Sequence, residues 1–283
     1  MLMTKGSCQP VTRSPAEAGL AYEDVTFTAS DGVELRGWFT PAQPGSDVPA
    51  PTVVFVHGWL WNRLGNESGL VPFIDRDVDF LPASQALHEA GYNVLHFDLS
   101  NHGESGSRFP ITYGPWEARD YIGAVAYLRT RADVDPDRIG AVGTSMGGNA
   151  VLIGSPYCLP IKAVLLVQPS KPYVFSSRFA ADQFGRIGAT SLPALDLSYT
   201  LVRAPRPSTI DPGASAARLT DTMQKYVQGT GDQWGTMEVV EAFVAAAPRV
   251  LPLVRYPSTE RYGGYRYVNE QADDVAAFFQ EYL

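Results

Sequence analysis

Gly143-Thr144-Ser145-Met146-Gly147-Gly148 is the stretch on which the fold of this chain turns. It follows the apolar run Arg138-Ile139-Gly140-Ala141-Val142 and leads into Asn149-Ala150-Val151-Leu152-Ile153-Gly154, which reads as a helix. A short buried strand, a Gly-Xaa-Ser-Xaa-Gly turn and a helix make the setting in which a serine is presented as a nucleophile. The reason is steric. The serine sits on a tight, strained turn, so the residues two positions to either side need minimal side chains to let strand and helix approach. At the start of the helix the backbone N–H of Met146 is left unpaired and can face a developing oxyanion. The competing reading is a glycine-rich strand-to-helix turn in some other α/β protein, because five-residue patterns recur by accident.

Working outward, the flanking sequence alternates strands and helices. Upstream, Val25, Phe27 and Ala29, then Asp31-Gly32, then Val33, Leu35, Gly37 and Phe39 spell a β-hairpin. Residues 1–20 carry no sustained period and read as a tail or an arm laid on the surface. After a Pro/Gly/Ser-rich loop from Pro41 to Pro51, Thr52-Val53-Val54-Phe55-Val56 is a continuous apolar run, as expected of a strand buried on both faces of a parallel sheet. It ends in His57-Gly58-Trp59. An irregular stretch from Asn62 to Asp79 precedes a helix over Leu81 to Ala90, closed by Gly91. The strand Asn93 to Asp98 ends in Asn101-His102-Gly103-Glu104-Ser105, and Pro115 opens a helix running to Arg131. Beyond the serine come a buried run at Ala163–Val167, a proline-punctuated segment at 168–221, and a strand at Gln224–Gly229 ending in Thr230-Gly231-Asp232. A helix from Thr236 to Ala247, a last strand from Arg249 to Tyr256 and a terminal helix from Glu270 to Leu283 complete the chain. Alternation of this kind from residue 52 onward predicts one parallel sheet with helices on both faces.

The 283 residues suffice for one large α/β domain. Hydrophobic residues at 45% and charged residues at 18% argue against disorder or a coiled coil. A formal net charge of −8 with no basic run argues against nucleic acid or a membrane surface as partner. The two cysteines, Cys8 and Cys158, make no disulfide framework, and no segment approaches the apolar length of a signal h-region or a membrane span. A cytoplasmic location and a small-molecule partner are the expectation. Neither a metal nor a cofactor is implied.

Taken together, three stretches resemble the α/β-hydrolase family over nearly the whole chain. His57-Gly58-Trp59 resembles the family's oxyanion loop, Asp98-x-x-x-x-Gly103-x-Ser105 its small-residue loop, and Gly143–Gly147 its nucleophile turn. Each falls at the carboxyl end of a predicted strand, where open α/β sheets bind ligands. The resemblance implies a mostly parallel eight-stranded sheet with an N-terminal antiparallel hairpin across 21–283, with 168–221 either a helical cap over the site or a helix-rich crossover. It also implies a serine hydrolase acting on an ester, thioester or amide through an acyl-enzyme at Ser145. Trp59 and Met146 would hold the oxyanion, and Asp232 would be the triad acid. His57, Trp61, Tyr113 and Trp116 are candidates to line the substrate pocket.

The family's histidine is missing. The four histidines are His57, His88, His96 and His102, and none follows Asp232. Alignment by the last strand and last helix puts Arg261 at or next to the expected position, and arginine cannot act as a general base. Three explanations stand open: another imidazole serves, His102 being the best placed; the fold is kept for binding or non-hydrolytic chemistry; or Arg261 inactivates an otherwise complete enzyme.

Overall fold

The computed structural model describes residues 2–45, 48–71, 76–190 and 192–283; parts of the expected 41–51 and 62–79 loops, and one residue of 168–221, lie outside them. Eight strands form one sheet: β1 Glu23–Thr28, β2 Glu34–Thr40, β3 Ala50–Val56, β4 Asn93–Phe97, β5 Val134–Thr144, β6 Ala163–Val167, β7 Met223–Gly229 and β8 Val254–Tyr256. Their order is β1-β2-β4-β3-β5-β6-β7-β8, with β1–β2 and β2–β4 antiparallel and the remaining pairs parallel. Every residue of β4 and β6 is buried, as the continuous apolar runs require.

The helices are α1 Leu81–Glu89, α2 Glu117–Leu128, α3 Met146–Gly154, α4 Pro172–Thr190, α5 Leu192–Leu201, α6 Pro212–Ala216, α7 Met237–Ala246, α8 Arg261–Tyr265, α9 Tyr267–Glu270 and α10 Ala272–Tyr282. They flank the sheet in two groups. α1, α9 and α10 pack on one another, and α3 packs on α2 and α6, which carries α7. Gly91 ends α1 at φ 87°, the left-handed conformation expected of a C-terminal glycine.

Two elements differ from expectation. The last strand is Val254–Tyr256 rather than residues 249–256, because Pro252 has no N–H to donate and splits the run; Val250 keeps a single bridge to Gln224. The segment 168–221 is more helical than its prolines suggest. α4 runs nineteen residues with a break at Gly185 (φ 59°, ψ −144°), and with α5 forms a helical layer between β6 and β7.

The N-terminal residues are strapped over the loops at the sheet's carboxyl end. Ile111 N–H donates to Thr4 O (3.1 Å), Gly103 N–H to Ser7 O (3.0 Å), Trp59 Nε1 to Lys5 O (2.9 Å) and Asn62 Nδ2 to Pro10 O (3.1 Å). The arm therefore helps shape the loop that follows β3.

Candidate active site

Ser145 lies between the end of β5 and the start of α3 at φ 52°, ψ −117°. A serine in that region is strained, and such strain persists only where the surroundings impose it. Its N–H donates to Val167 O at 2.9 Å, and its carbonyl accepts from Asn149 N–H at 3.1 Å. The glycine spacing has a measurable cause. A Cβ on Gly147 would sit 2.1 Å from Val56 O, and one on Gly143 would sit 2.7 Å from the Gly148 Cα. Met146 opens α3, so its N–H has no acceptor within the helix.

Asp232 follows β7 with its side chain fully buried. Oδ1 accepts the N–H groups of Trp234 (3.0 Å) and Gly235 (2.9 Å), while Oδ2 accepts from Gln228 Nε2 (2.8 Å) and from Arg261 Nη1. Arg261 is the first residue of α8, whose N-terminus is capped by Glu260 through the N–H groups of Tyr262 and Gly263. Its Nη2 donates to Ser145 Oγ at 3.2 Å and to Gln168 O at 3.2 Å. The arginine thus bridges Asp232 and Ser145, where an imidazole would have to stand. It is 2% exposed. Burial alone would lower its pKa, but Asp232, with Tyr265 and Tyr262, holds the guanidinium above its ordinary value. It stays a cation and takes no proton from the serine.

His102, the imidazole expected to substitute as base, does not have a nitrogen to offer. Nδ1 is bonded to Ser100 O (2.9 Å), which fixes the proton there, and Nε2 accepts from Leu60 N–H (3.3 Å). His57 is committed in the same way, with Nδ1 on Gly58 O (2.7 Å) and Nε2 accepting from Leu99 N–H (3.0 Å). The two rings meet edge to face at 5.1 Å. They are scaffolding for the loops after β3 and β4, and His57 does not line the cavity at Ser145. Asp98 completes that scaffold. Its carboxylate accepts from Arg63 N–H (2.7 Å) and Glu104 N–H (2.9 Å), and a Cβ on Gly103, at φ 49°, would collide with it at 2.2 Å.

Burial lowers the His57 and His96 pKa values to about 4 and that of His102, which also faces His57, to about 3. An unfolded histidine titrates near 6.5. Their neutral forms therefore stabilise the fold above about pH 6.5, and that contribution is lost as the pH falls toward 4. Imidazole NMR shifts of these three rings are expected to show no inflection between about pH 5 and 8. An inflection near 6–7 at His102 would return it to candidacy as a base.

The cavity beside Ser145 is small, about 20 Å³, lined by Trp59, Trp61, Phe175, Arg261, Tyr262 and Tyr265. Of the aromatic residues expected at the site, Trp59 and Trp61 are among them. Tyr113 instead packs edge-on against Trp59 and donates its hydroxyl to Met3 O, while Trp116 stands beside the guanidinium groups of Arg108 and Arg119. Four contributors escaped the sequence reading, Tyr262 of the cavity wall among them. Phe175 of α4 covers Arg261, ring to guanidinium 5.1 Å. Tyr265 places a buried hydroxyl near Ser145 and Gln168, with no partner in good hydrogen-bond geometry. Gln168, directly after β6 at φ 51°, donates Nε2 to Arg261 O (2.7 Å) and accepts Gly229 N–H (3.1 Å), pinning the arginine's backbone to the sheet. The polar residue ending an apolar strand run was its one sequence signal. Among the described residues no cluster of His, Cys, Asp and Glu is arranged to hold a metal ion.

Known proteins identify the family. The sequence pattern of the alpha/beta hydrolase family matches residues 53–283. The uncharacterized protein YfhR of Salmonella typhimurium is 31% identical, across 76% of this chain and 83% of that one. Thiohydrolase aneE of Aspergillus aculeatus is 26% identical, across 59% of this chain and 47% of its own length. Among solved structures, the Pyrococcus furiosus esterase Pf2001 superposes with a TM-score of 0.71 at 23% identity, covering 98% of this chain and 99% of that one. At that identity the likeness is one of fold. Sequence pattern, relatives and sheet order agree, and the chain belongs to the alpha/beta hydrolase family.

Proposed function

We propose that this protein takes a small-molecule ester, thioester or amide at Ser145 and accepts its acyl group on the serine hydroxyl without imidazole assistance. The observation that carries the reading is the strained, pre-aimed Ser145 (φ 52°, ψ −117°) with the Arg261 guanidinium 3.2 Å from its oxygen. Proton removal falls to solvent hydroxide. The resulting alkoxide is stabilised by the neighbouring cation and attacks the carbonyl carbon, forming the Oγ–C bond. The N–H groups of Met146 and Trp59 hold the oxyanion, each donor being worth roughly 10²–10³ in rate. Collapse expels the leaving group, which takes its proton from water, and hydroxide then releases the acid. A site lacking one triad member still accelerates by roughly 10³–10⁴ over water, so turnover is slow.

Fluorophosphonate labelling and aryl-ester hydrolysis test this directly. Label on Ser145, absent from Ser145→Ala, and a rate climbing about tenfold per pH unit from pH 6 to 9 are the expected results, since hydroxide is the base. A plateau above pH 7 would name a titrating group and overturn the hydroxide route. The second reading, a ligand-binding protein without acyl transfer, is favoured by Arg261 donating to the Ser145 oxygen in a cavity of about 20 Å³. No labelling at pH 9, with hydrolysis equal to that of Ser145→Ala, decides for it.

A further inference from the structure

The outer end of the α4–α5 layer leaves large apolar side chains in solvent. Ile187 is 81% and Leu201 75% exposed, with Phe184, Leu197 and Val202 also exposed. Leu197 and Leu201, four apart, share one face of α5. Phe184 and Val202, together with exposed Phe109, also line the mouth of a cavity of about 440 Å³ beneath the layer, whose walls include Phe179, Leu192 and Leu195. Phe184 and Val202 therefore belong both to the exposed apolar residues and to the cavity wall. Patches of this kind on a folded protein mark contact sites.

The surrounding charge says what the contact is. Between residues 184 and 206, the span of the exposed apolar residues, stand three exposed arginines, Arg186, Arg203 and Arg206, against one aspartate, Asp196, in a chain of net charge −8. Arginine around an apolar face suits a layer with phosphate outside and hydrocarbon within. A second copy of the chain fits poorly, because a two-fold contact would bring the same arginines against one another. Among the described residues no helix is long and apolar enough to cross a membrane, so the contact lies on the surface.

We propose that the α4–α5 tip docks on an anionic phospholipid bilayer. Ile187, Leu201 and their apolar neighbours enter the headgroup boundary, and the arginines pair with lipid phosphates. The mouth of the cavity then opens onto the lipid. This reverses the expectation from net charge, which averages away a local basic and apolar cluster. It does not depend on the chemistry at Ser145.

Vesicle co-sedimentation tests it with the full chain. At low salt the protein is expected to pellet with vesicles of mixed phosphatidylglycerol and phosphatidylcholine, at least about tenfold more than with phosphatidylcholine alone, and to be released by high salt. The exposed pairs Ile187→Asp/Leu201→Asp and Arg186→Glu/Arg203→Glu are each expected to lose that binding, with circular dichroism and melting unchanged. Equal recovery with both vesicle types, or binding kept by both variants, would overturn the proposal. So would a lipid-free dimer in sedimentation equilibrium that the Ile187→Asp/Leu201→Asp pair dissociates.

Discussion

Arg261→His is expected to raise kcat/KM for an aryl ester by about 10²–10⁴, the usual contribution of a positioned general base. The partners are already in place. Asp232 Oδ2 faces position 261, and Ser145 Oγ lies on the other side of the same side chain. A neutral imidazole there would give Nδ1–H to Asp232 and take the serine proton on Nε2. The ring is shorter than a guanidinium, and the Gln168 Nε2 bond to the residue 261 carbonyl resists movement of the backbone. Those two facts put the gain toward the lower end of the range. The pH profile should change shape as well as height. The parent rate climbs with hydroxide, whereas the variant should level off above an inflection near pH 6–7, where histidine ordinarily titrates. Arg261→Met is the control: it removes the cation without supplying a base and should not gain activity. If Arg261→His shows neither higher kcat/KM nor faster fluorophosphonate labelling, the site has lost more than its histidine.

Why that question was visible in the sequence, and its answer was not, follows from what local pattern encodes. Buried parallel strands are continuous apolar runs and the serine turn needs glycines at fixed offsets, so β3 to β6 and Ser145 could be read directly. The absence of a histidine after Asp232 is equally plain from a list of residues. What Arg261 does instead depends on contacts among β6, β7 and α8, which lie far apart in the chain. Gln168 contributes through a carbonyl and an amide with no motif of their own. Phe175 and Tyr265 reach the site from helices whose placement no periodicity specifies. His102 misled for a related reason. Its position at a strand-end loop is shared by catalytic and scaffolding imidazoles, and only its bonds to Ser100 O and Leu60 N–H distinguish them.

Asp232→Ala is expected to destabilise the protein by about 3–5 kcal/mol, the loss typical when one partner of a buried ion pair is removed. The cost comes chiefly from what remains. Arg261, 2% exposed, would keep its charge with Ser145 Oγ and the Gln168 carbonyl as hydrogen-bond acceptors and the Phe175 and Tyr265 rings against it, but no countercharge. The N–H groups of Trp234 and Gly235 would also lose their acceptor. Asp232→Asn retains an oxygen for those amides but no countercharge, so it should fall between wild type and alanine. Adding Arg261→Met to Asp232→Ala removes the stranded cation and should recover a large part of the loss, although each single change is harmful. That non-additivity is the signature of a directly coupled pair. Urea unfolding of the four proteins measures it, through midpoint shifts at constant slope. A cost below about 1 kcal/mol for Asp232→Ala would mean that water reaches the guanidinium when its partner is gone. The Asp232–Arg261 pair would then not be what keeps the site closed, and the cavity beside Ser145 would open readily enough to admit a substrate.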